Sequence, residues 1–294
     1  LRGHASGVSQ TPPEHPGPAF LAREARVRYG PIRPHPDAAD RDWFMTIEGD
    51  CFWFMTGTGF HIFYRKGEGI TVQREADADP AEEQLWLNGS TYAAIAAING
   101  YLPLHASAVA WRGRAYAFAG PSGSGKSTLA AALGRHGMPM VCDDTMIVDI
   151  SRPEEYVCFP GHKRLKLKED ALPLAGSSRG EKVGRMIDKF YATPPGGTFD
   201  QSLPLARIFY LDEGNVVRFA AIGGARRVAC LNEDHYTAQL YALARGQDRA
   251  ARLAQLGAIA SRIRMDRLVR PLDPHRFEDA TAAIAAHIKQ GIAA

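Results

Sequence analysis

From Trp43 to Gln73, apolar and aromatic residues come in short runs broken by turn residues. The runs are Trp43-Phe44-Met45, Cys51-Phe52-Trp53-Phe54-Met55, Phe60-His61-Ile62-Phe63-Tyr64 and Ile70-Thr71-Val72. Gly49-Asp50, Gly57-Thr58-Gly59 and Lys66-Gly67-Glu68-Gly69 separate them, a pattern that predicts an antiparallel meander. Before it, residues 1–18 hold Pro12, Pro13, Pro16 and Pro18 among glycines and have little to bury. They read as a flexible leader. After the meander, acidic and alanine-rich residues 75–83 read as a linker. Ser90 then reads as the cap of a helix from about Thr91 to Ile98, stopped by Asn99-Gly100. A β-rich N-terminal domain is expected over residues 19–101.

The pattern changes at residue 102. His105 to Trp111 and Arg114 to Ala119 alternate as strands and are joined only by Arg112-Gly113, which makes a hairpin. Pairing Trp111 with Arg114 places Val109 opposite Tyr116, Ser107 opposite Phe118 and His105 opposite Gly120. One face then carries only alanines, at 106, 108, 110, 115, 117 and 119, so that a helix can approach closely. Met138 to Cys142 reads as a strand ending in Asp143-Asp144, and Thr145 to Ile150 as its continuation. The basic alternation Arg164-Leu165-Lys166-Leu167-Lys168 follows, and residues 173–201, rich in Gly, Ser and Pro, read as a mobile lid. Leu205–Leu211 and Val216–Ile222 read as a second hairpin around Asp212-Glu213-Gly214-Asn215. Helices are expected near 233–244, 248–262 and 274–289; in the last, Phe277, Ala280, Ile284 and Ile288 recur at helical spacing and belong to a core.

Composition narrows the class. An apolar fraction of 45% and a charged fraction of 23% are those of a soluble globular protein. A net charge of +3 is too small to argue for nucleic acid or membrane as a partner. Cys51, Cys142, Cys158 and Cys230 are widely spread without C-x-x-C spacing, which points to reduced thiols and a cytoplasmic location rather than a metal cluster or disulfide framework. No apolar run approaches the ~18 residues of a membrane span. Residue 1 is Leu rather than Met, and the position of the first residue implies nothing.

The chemistry centres on Gly120-Pro121-Ser122-Gly123-Ser124-Gly125-Lys126-Ser127, which fits G-x-x-x-x-G-K-[ST] at every fixed position. A strand precedes it and a helix from Thr128 follows, so backbone N–H groups and the helix dipole converge on one anion. Gly120, Ser122, Gly123, Ser124, Gly125, Lys126, Ser127 and Thr128 are the expected nucleotide-binding residues. Lys126 would reach the β- and γ-phosphates of ATP, and the Ser127 hydroxyl would hold Mg²⁺. Asp143 and Asp144 stand at a strand end where ligands of α/β sheets gather. One division of labour puts Asp144 near Mg²⁺ and gives Asp143 the proton of an attacking hydroxyl. His105, carried to the loop by the hairpin register, would touch the transferring phosphate or orient Asp143. The run Lys163, Arg164, Lys166 and Lys168 is either a solvated strand face or an acceptor contact, and Lys189 has the same two readings. No [NT]-K-x-D or L-S-G-G-Q motif occurs, which sets aside guanine-nucleotide switches and transporter ATPases.

Leu104-His105-Ala106-Ser107, the hairpin, Gly120 to Ser127 and Cys142-Asp143-Asp144 together resemble the catalytic core of HPr kinase/phosphorylase. In that family a histidine precedes the phosphate loop by one hairpin, and the first Asp of a pair is the base toward a serine hydroxyl; the resemblance puts that role on Asp143. The "LPLHASAV" entry, the "FPGHKRLKLKEDAL" segment (Phe159 to Leu172) and the aromatic N-terminal region are similar to the HPr-kinase-like enzymes of lasso-peptide clusters. Those phosphorylate the C-terminal serine of a precursor peptide. The resemblance implies an α/β fold of α+β character, with the β-rich domain followed over 102–294 by an HPr-kinase-like domain whose hairpin feeds the phosphate loop. It implies a cytoplasmic ATP- and Mg²⁺-dependent serine kinase acting on a peptide, with neither nucleic acid nor membrane as partner and a homo-oligomer left open. The alternatives are a kinase of another protein or a small alcohol, or a nucleotide-gated regulator that transfers nothing.

Overall fold

The computed structural model describes residues 17–162, 165–185, 187–232, 235–246 and 249–291. Of the expected leader, residues 1–16 lie outside the described residues, and Gly17 and Pro18 are not leader at all. They open helix α1 (Gly17–Glu24), where a side chain on Gly17 would overlap the Phe159 ring. Close packing, which a Pro-Gly composition hides, decides that end.

The meander forms as its alternation requires. Strands β2 (Phe44–Glu48), β3 (Cys51–Met55), β4 (Phe60–Arg65) and β5 (Gly69–Arg74) pair antiparallel in sequence order. A short strand not anticipated from the sequence, β1 (Val27–Tyr29), adds in parallel to β5 and completes a five-stranded sheet. Phe52, Phe54, Ile62, Tyr64 and Val72 are buried on one face, each contributing about 1.5–3 kcal/mol where fully apolar. That face packs on Leu21 and on Ala93 to Ala96. Residues 75–83 are only partly linker: Asp79 Oδ1 accepts the Ala81 N–H at 3.0 Å and starts helix α2 (Pro80–Trp86). The helical path continues through a wide π-type turn over Leu87–Thr91 into α3 (Tyr92–Ile98). Ser90 lies buried inside this run and is no cap; the earlier Asp-Pro is the stronger start signal, because proline suits the first helical turn.

The second sheet starts with β6 (Leu102–Leu104). Strands β7 (Ala106–Trp111) and β8 (Arg114–Ala119) pair with Trp111 opposite Arg114, Val109 opposite Tyr116 and Ser107 opposite Phe118. Their alanine face meets Leu256, Ile259, Ala260 and Ile263 in one hydrophobic cluster. The opposite face, with Val109, Tyr116 and Phe118, packs on Leu129, Ala130 and Leu133 of α4 (Lys126–Leu133), the helix after the phosphate loop. Strand β9 (Met140–Cys142) pairs with β7, whereas β10 (Met146–Asp149) pairs with β6 and with β11 (Val157–Cys158). The segment read as one continuing strand thus changes partners at Asp143-Asp144.

Part of the segment expected as a lid is regular structure: it holds the end of α5 (Ala171–Ala175) and strands β13 (Lys182–Gly184) and β14 (Ile187–Ala192), which form a three-stranded sheet with the preceding β12 (Leu165–Leu167). The second expected hairpin does not form. Strands β15 (Leu203–Glu213) and β16 (Arg218–Ala221) are followed by α6 (Gly224–Leu231), α7 (Tyr236–Ala244) and α8 (Arg249–Arg262). Strand β17 (Met265–Arg270) then inserts between them, parallel to β15 and antiparallel to β16, burying Met265 and Leu268. Strand β15 also runs parallel to β8, and α9 (Phe277–Gln290) closes the chain over the α4 face. The protein is a mixed α/β fold with several sheets. Among the described residues no helix is long and apolar enough to cross a membrane, and no disulfide joins any of the four cysteines.

Candidate active site

Strand β8 delivers the chain to a loop whose backbone only glycine adopts without strain. Gly120, Gly123 and Gly125 have φ of +137°, +83° and +78°, a region that costs other residues roughly 1–2 kcal/mol. At Gly120 there is also no room, because a Cβ would come within 3.0 Å of the Leu211 carbonyl oxygen. Ser122 and Gly123 form the exposed tip, and Thr128 is buried in the first turn of α4. Lys126, 6% exposed, folds its ammonium back onto the loop, donating to the carbonyls of Gly120 at 2.8 Å and Pro121 at 3.0 Å.

The pairing of β9 with β7 brings the carboxylates to this loop. Ala108 lies opposite Cys142, so the next residue, Asp143, meets Ser107, whose hydroxyl donates to Asp143 Oδ1 at 2.7 Å. Burial pushes the Asp143 carboxyl up and the neighbouring Asp144 adds to the rise, while the Ser107 and Ser127 hydroxyls oppose it. Asp143 Oδ2 is buried with no hydrogen-bond partner. A bare carboxylate oxygen beside the phosphate-loop serine is costly unless something positive meets it. Asp143 and Ser127 are hard oxygen donors, and that set fits Mg²⁺, which takes one or two carboxylates and completes its shell with phosphate and water. Among the described residues no group of three or more His, Cys, Asp or Glu side chains forms a denser metal cluster.

Asp144 has different partners. Its φ of +68° and the Thr145 N–H to Asp143 carbonyl bond of 2.8 Å make a tight reversal at the strand end. Asp144 Oδ2 accepts from Lys166 Nζ at 2.7 Å. Burial works against ionisation of Asp144, but Lys166, with help from Lys189, outweighs it and holds the carboxyl at about 2. Lys166 in turn is raised by Asp144 despite its own burial. His105 Nδ1 lies 3.0 Å from the Asp144 carbonyl oxygen and 3.6 Å from its Oδ1. A carbonyl only accepts, so Nδ1 carries the proton. The ring stacks on His235 at 3.6 Å and 15°. Burial, Lys126 and His235 lower His105 to about 3, so it is neutral at pH 7. The floor of the site is tied by Thr145 Oγ1 and the Tyr236 hydroxyl at 2.7 Å.

No family model matches this chain, and no curated protein matches it. Among solved structures it is similar to the Hpr(Ser) kinase/phosphatase from Coxiella burnetii, at 13% identity over 64% of this chain and 89% of that one, with a TM-score of 0.34. So loose a superposition assigns no residue a role.

The residues singled out from the sequence gather as two adjoining groups: Asp143 with Ser127, and Asp144 with His105, Lys166 and Lys189. Lys163 and Arg164 lie outside the described residues, and Lys166 is committed to Asp144 rather than to solvent. Ser107, His235, Tyr236 and Arg270 were not anticipated as site residues. Ser107 had a signal, a lone hydroxyl in an otherwise apolar strand. The others arrive from α7 and β17, and only packing brings them here.

Proposed function

We propose that this chain is an ATP-dependent phosphotransferase acting on a hydroxyl, and that its acceptor is the C-terminal serine of a peptide, as in a lasso-peptide precursor. The observation that carries the reading is the unpartnered Asp143 Oδ2 beside Ser127, with a second carboxylate, Asp144, held ionised by Lys166. Bound Mg²⁺ would supply charge neutralisation at the phosphate chain, held by Ser127 and Asp143. This exchanges the duties expected from the sequence, because Ser127 acts on Asp143 while Asp144 is bonded by Lys166. The loop N–H groups and Lys126 bind and orient the phosphates. Asp144 takes the acceptor's proton as the hydroxyl oxygen bonds to phosphorus and the bond to the ADP oxygen breaks. Neutral His105 positions Asp144 through its backbone carbonyl. With Lys166 engaged by Asp144, the charge of Lys189 would meet a peptide's terminal carboxylate.

The test is direct. A Ser-ended peptide incubated with the protein and Mg-ATP should gain ~80 Da, the mass of one phosphoryl group. The same peptide ending in Ala should stay unmodified. Equal labelling of both peptides rejects the terminal serine as acceptor, and labelling of neither rejects transfer.

A pH signature follows from Lys166. Asp144 sits at about 2 because Lys166 stabilises its charge against burial. In Lys166→Met that support is gone, so the Asp144 pKa rises. A base works only when deprotonated, so the acid limb of kcat/KM should move to higher pH. Rates measured from about pH 4 to 8 should fall on the acid side in the variant well before they fall in the parent. Superimposable profiles would remove Asp144 from the role of base.

A further inference from the structure

Arg270 ends β17 directly behind the phosphate loop and is 2% exposed. Its Nη2 donates to the Ser124 carbonyl at 2.7 Å and its Nη1 to the Pro271 carbonyl at 3.3 Å, while Nε has no partner. The guanidinium lies 5.8 Å from the centre of the Phe277 ring. No carboxylate among the described residues pairs with it, and burial alone lowers it to about 10, which leaves it charged at neutral pH. A lone buried cation is unfavourable unless something offsets it. Here only two carbonyl dipoles and a ring face do so.

The geometry at Ser124–Gly125 gives this charge a task. A trans peptide points its carbonyl and its N–H to opposite sides. With the Ser124 carbonyl drawn to Arg270, the Gly125 N–H is directed away from Arg270. A side chain at Gly125 would be strained at its φ of +78°, and its Cβ would displace Arg270 Nη2. We infer that Arg270 is a positioning residue of the phosphate loop, fixing the Ser124–Gly125 peptide so that its N–H meets the nucleotide's phosphate chain, whose charge balances the buried guanidinium. This rests on the phosphotransferase reading of the loop.

The test compares the full chain with Arg270→Met and Arg270→Lys, reading the Kd for Mg-ADP by calorimetry and Tm with and without Mg-ADP. Without nucleotide, Arg270→Met should melt at or above the parent Tm, because an apolar chain of similar length replaces an unpaired charge. Its Kd should rise tenfold or more, and the Tm gained on adding Mg-ADP should shrink accordingly. Arg270→Lys keeps charge but loses the planar fork and should bind with an intermediate Kd. A Kd for Arg270→Met within twofold of the parent overturns the inference. A lowered Tm without nucleotide in Arg270→Met, with Tm and Kd both restored by Lys, also overturns it, since that is a structural clamp. If the Met variant does not fold, Arg270→Lys decides: a weakened Kd at parental Tm supports the inference, and an unchanged Kd rejects it. Absence of Mg-ADP binding by the parent chain would instead sink the nucleotide reading beneath it.

Discussion

Replacing Lys126 with Ala should abolish phosphoryl transfer while leaving the fold in place. Lys126 is the first residue of α4, so its stem is held by the helix and its ammonium lies over the loop. Its Nζ bonds the Gly120 and Pro121 carbonyls, which places the charge within the cradle before any anion arrives. In transfer, negative charge spreads over the phosphoryl oxygens, and a fixed cation there stabilises it without reorganisation. Losing one such group typically costs on the order of 10²–10³ in rate, and loss of phosphate affinity adds to it. The folded state loses far less. Two hydrogen bonds at about 1 kcal/mol each are removed, and Pro121 is exposed enough for water to replace Lys126 there. Circular dichroism and Tm should stay close to the parent while turnover disappears. Near-normal turnover in a folded Lys126→Ala sample would end the phosphate-loop assignment.

Asn in place of each aspartate should separate binding from chemistry. Asp143 is 4% exposed, beside Ser127, with one oxygen unpartnered. Its neutral isostere loses the charge that would meet Mg²⁺, so Asp143→Asn should weaken Mg-nucleotide binding by a factor of ten or more, a loss of about 1.4 kcal/mol. Asp144 has its charge paired with Lys166. Asp144→Asn should leave Mg-nucleotide affinity within a few-fold and lower kcat by about 10²–10⁴, the usual contribution of a general base. It also strands Lys166, which is largely buried, so Tm should drop as well. Calorimetric titration with Mg-ATP alongside turnover distinguishes the two variants. If Asp143→Asn binds normally and fails only in turnover, the base is Asp143 and the assignment argued from the partners of the two carboxylates is wrong.

Local rules make some parts of this protein legible in its residue order alone. The two-residue link at Arg112-Gly113 leaves one close hairpin register, and the observed β7–β8 pairs follow it. Period-two burial in β3 and β4 reflects the same alternation that marks the meander in the chain. The glycines of the loop declare themselves because their φ values exclude side chains. Other parts are misread where a local signal competes with a distant one. The Gly-rich stretch after Pro173 looks like a loop on its own, yet β14 gains partners on both sides from β12 and β13. The Asp212–Asn215 turn suits a hairpin. Strand β17, which follows only after three helices, fills the place between its strands instead, because that buries Leu268 and pairs both edges.

The phosphate loop, the hairpin that feeds it and the two adjacent carboxylates at a strand end are each specified by residues close in the chain. Allowed backbone angles and side-chain alternation act over such short spans, so these features need no distant partner to be recognised. Which partners each carboxylate meets is different, because they come from segments far apart in the chain. Ser107 bonds Asp143, whereas Lys166 bonds the Asp144 carboxylate and His105 its backbone carbonyl. Arg270 likewise reaches its place behind Ser124 across a sequence distance no local rule spans, because β17 arrives at the loop by pairing with β15 in register.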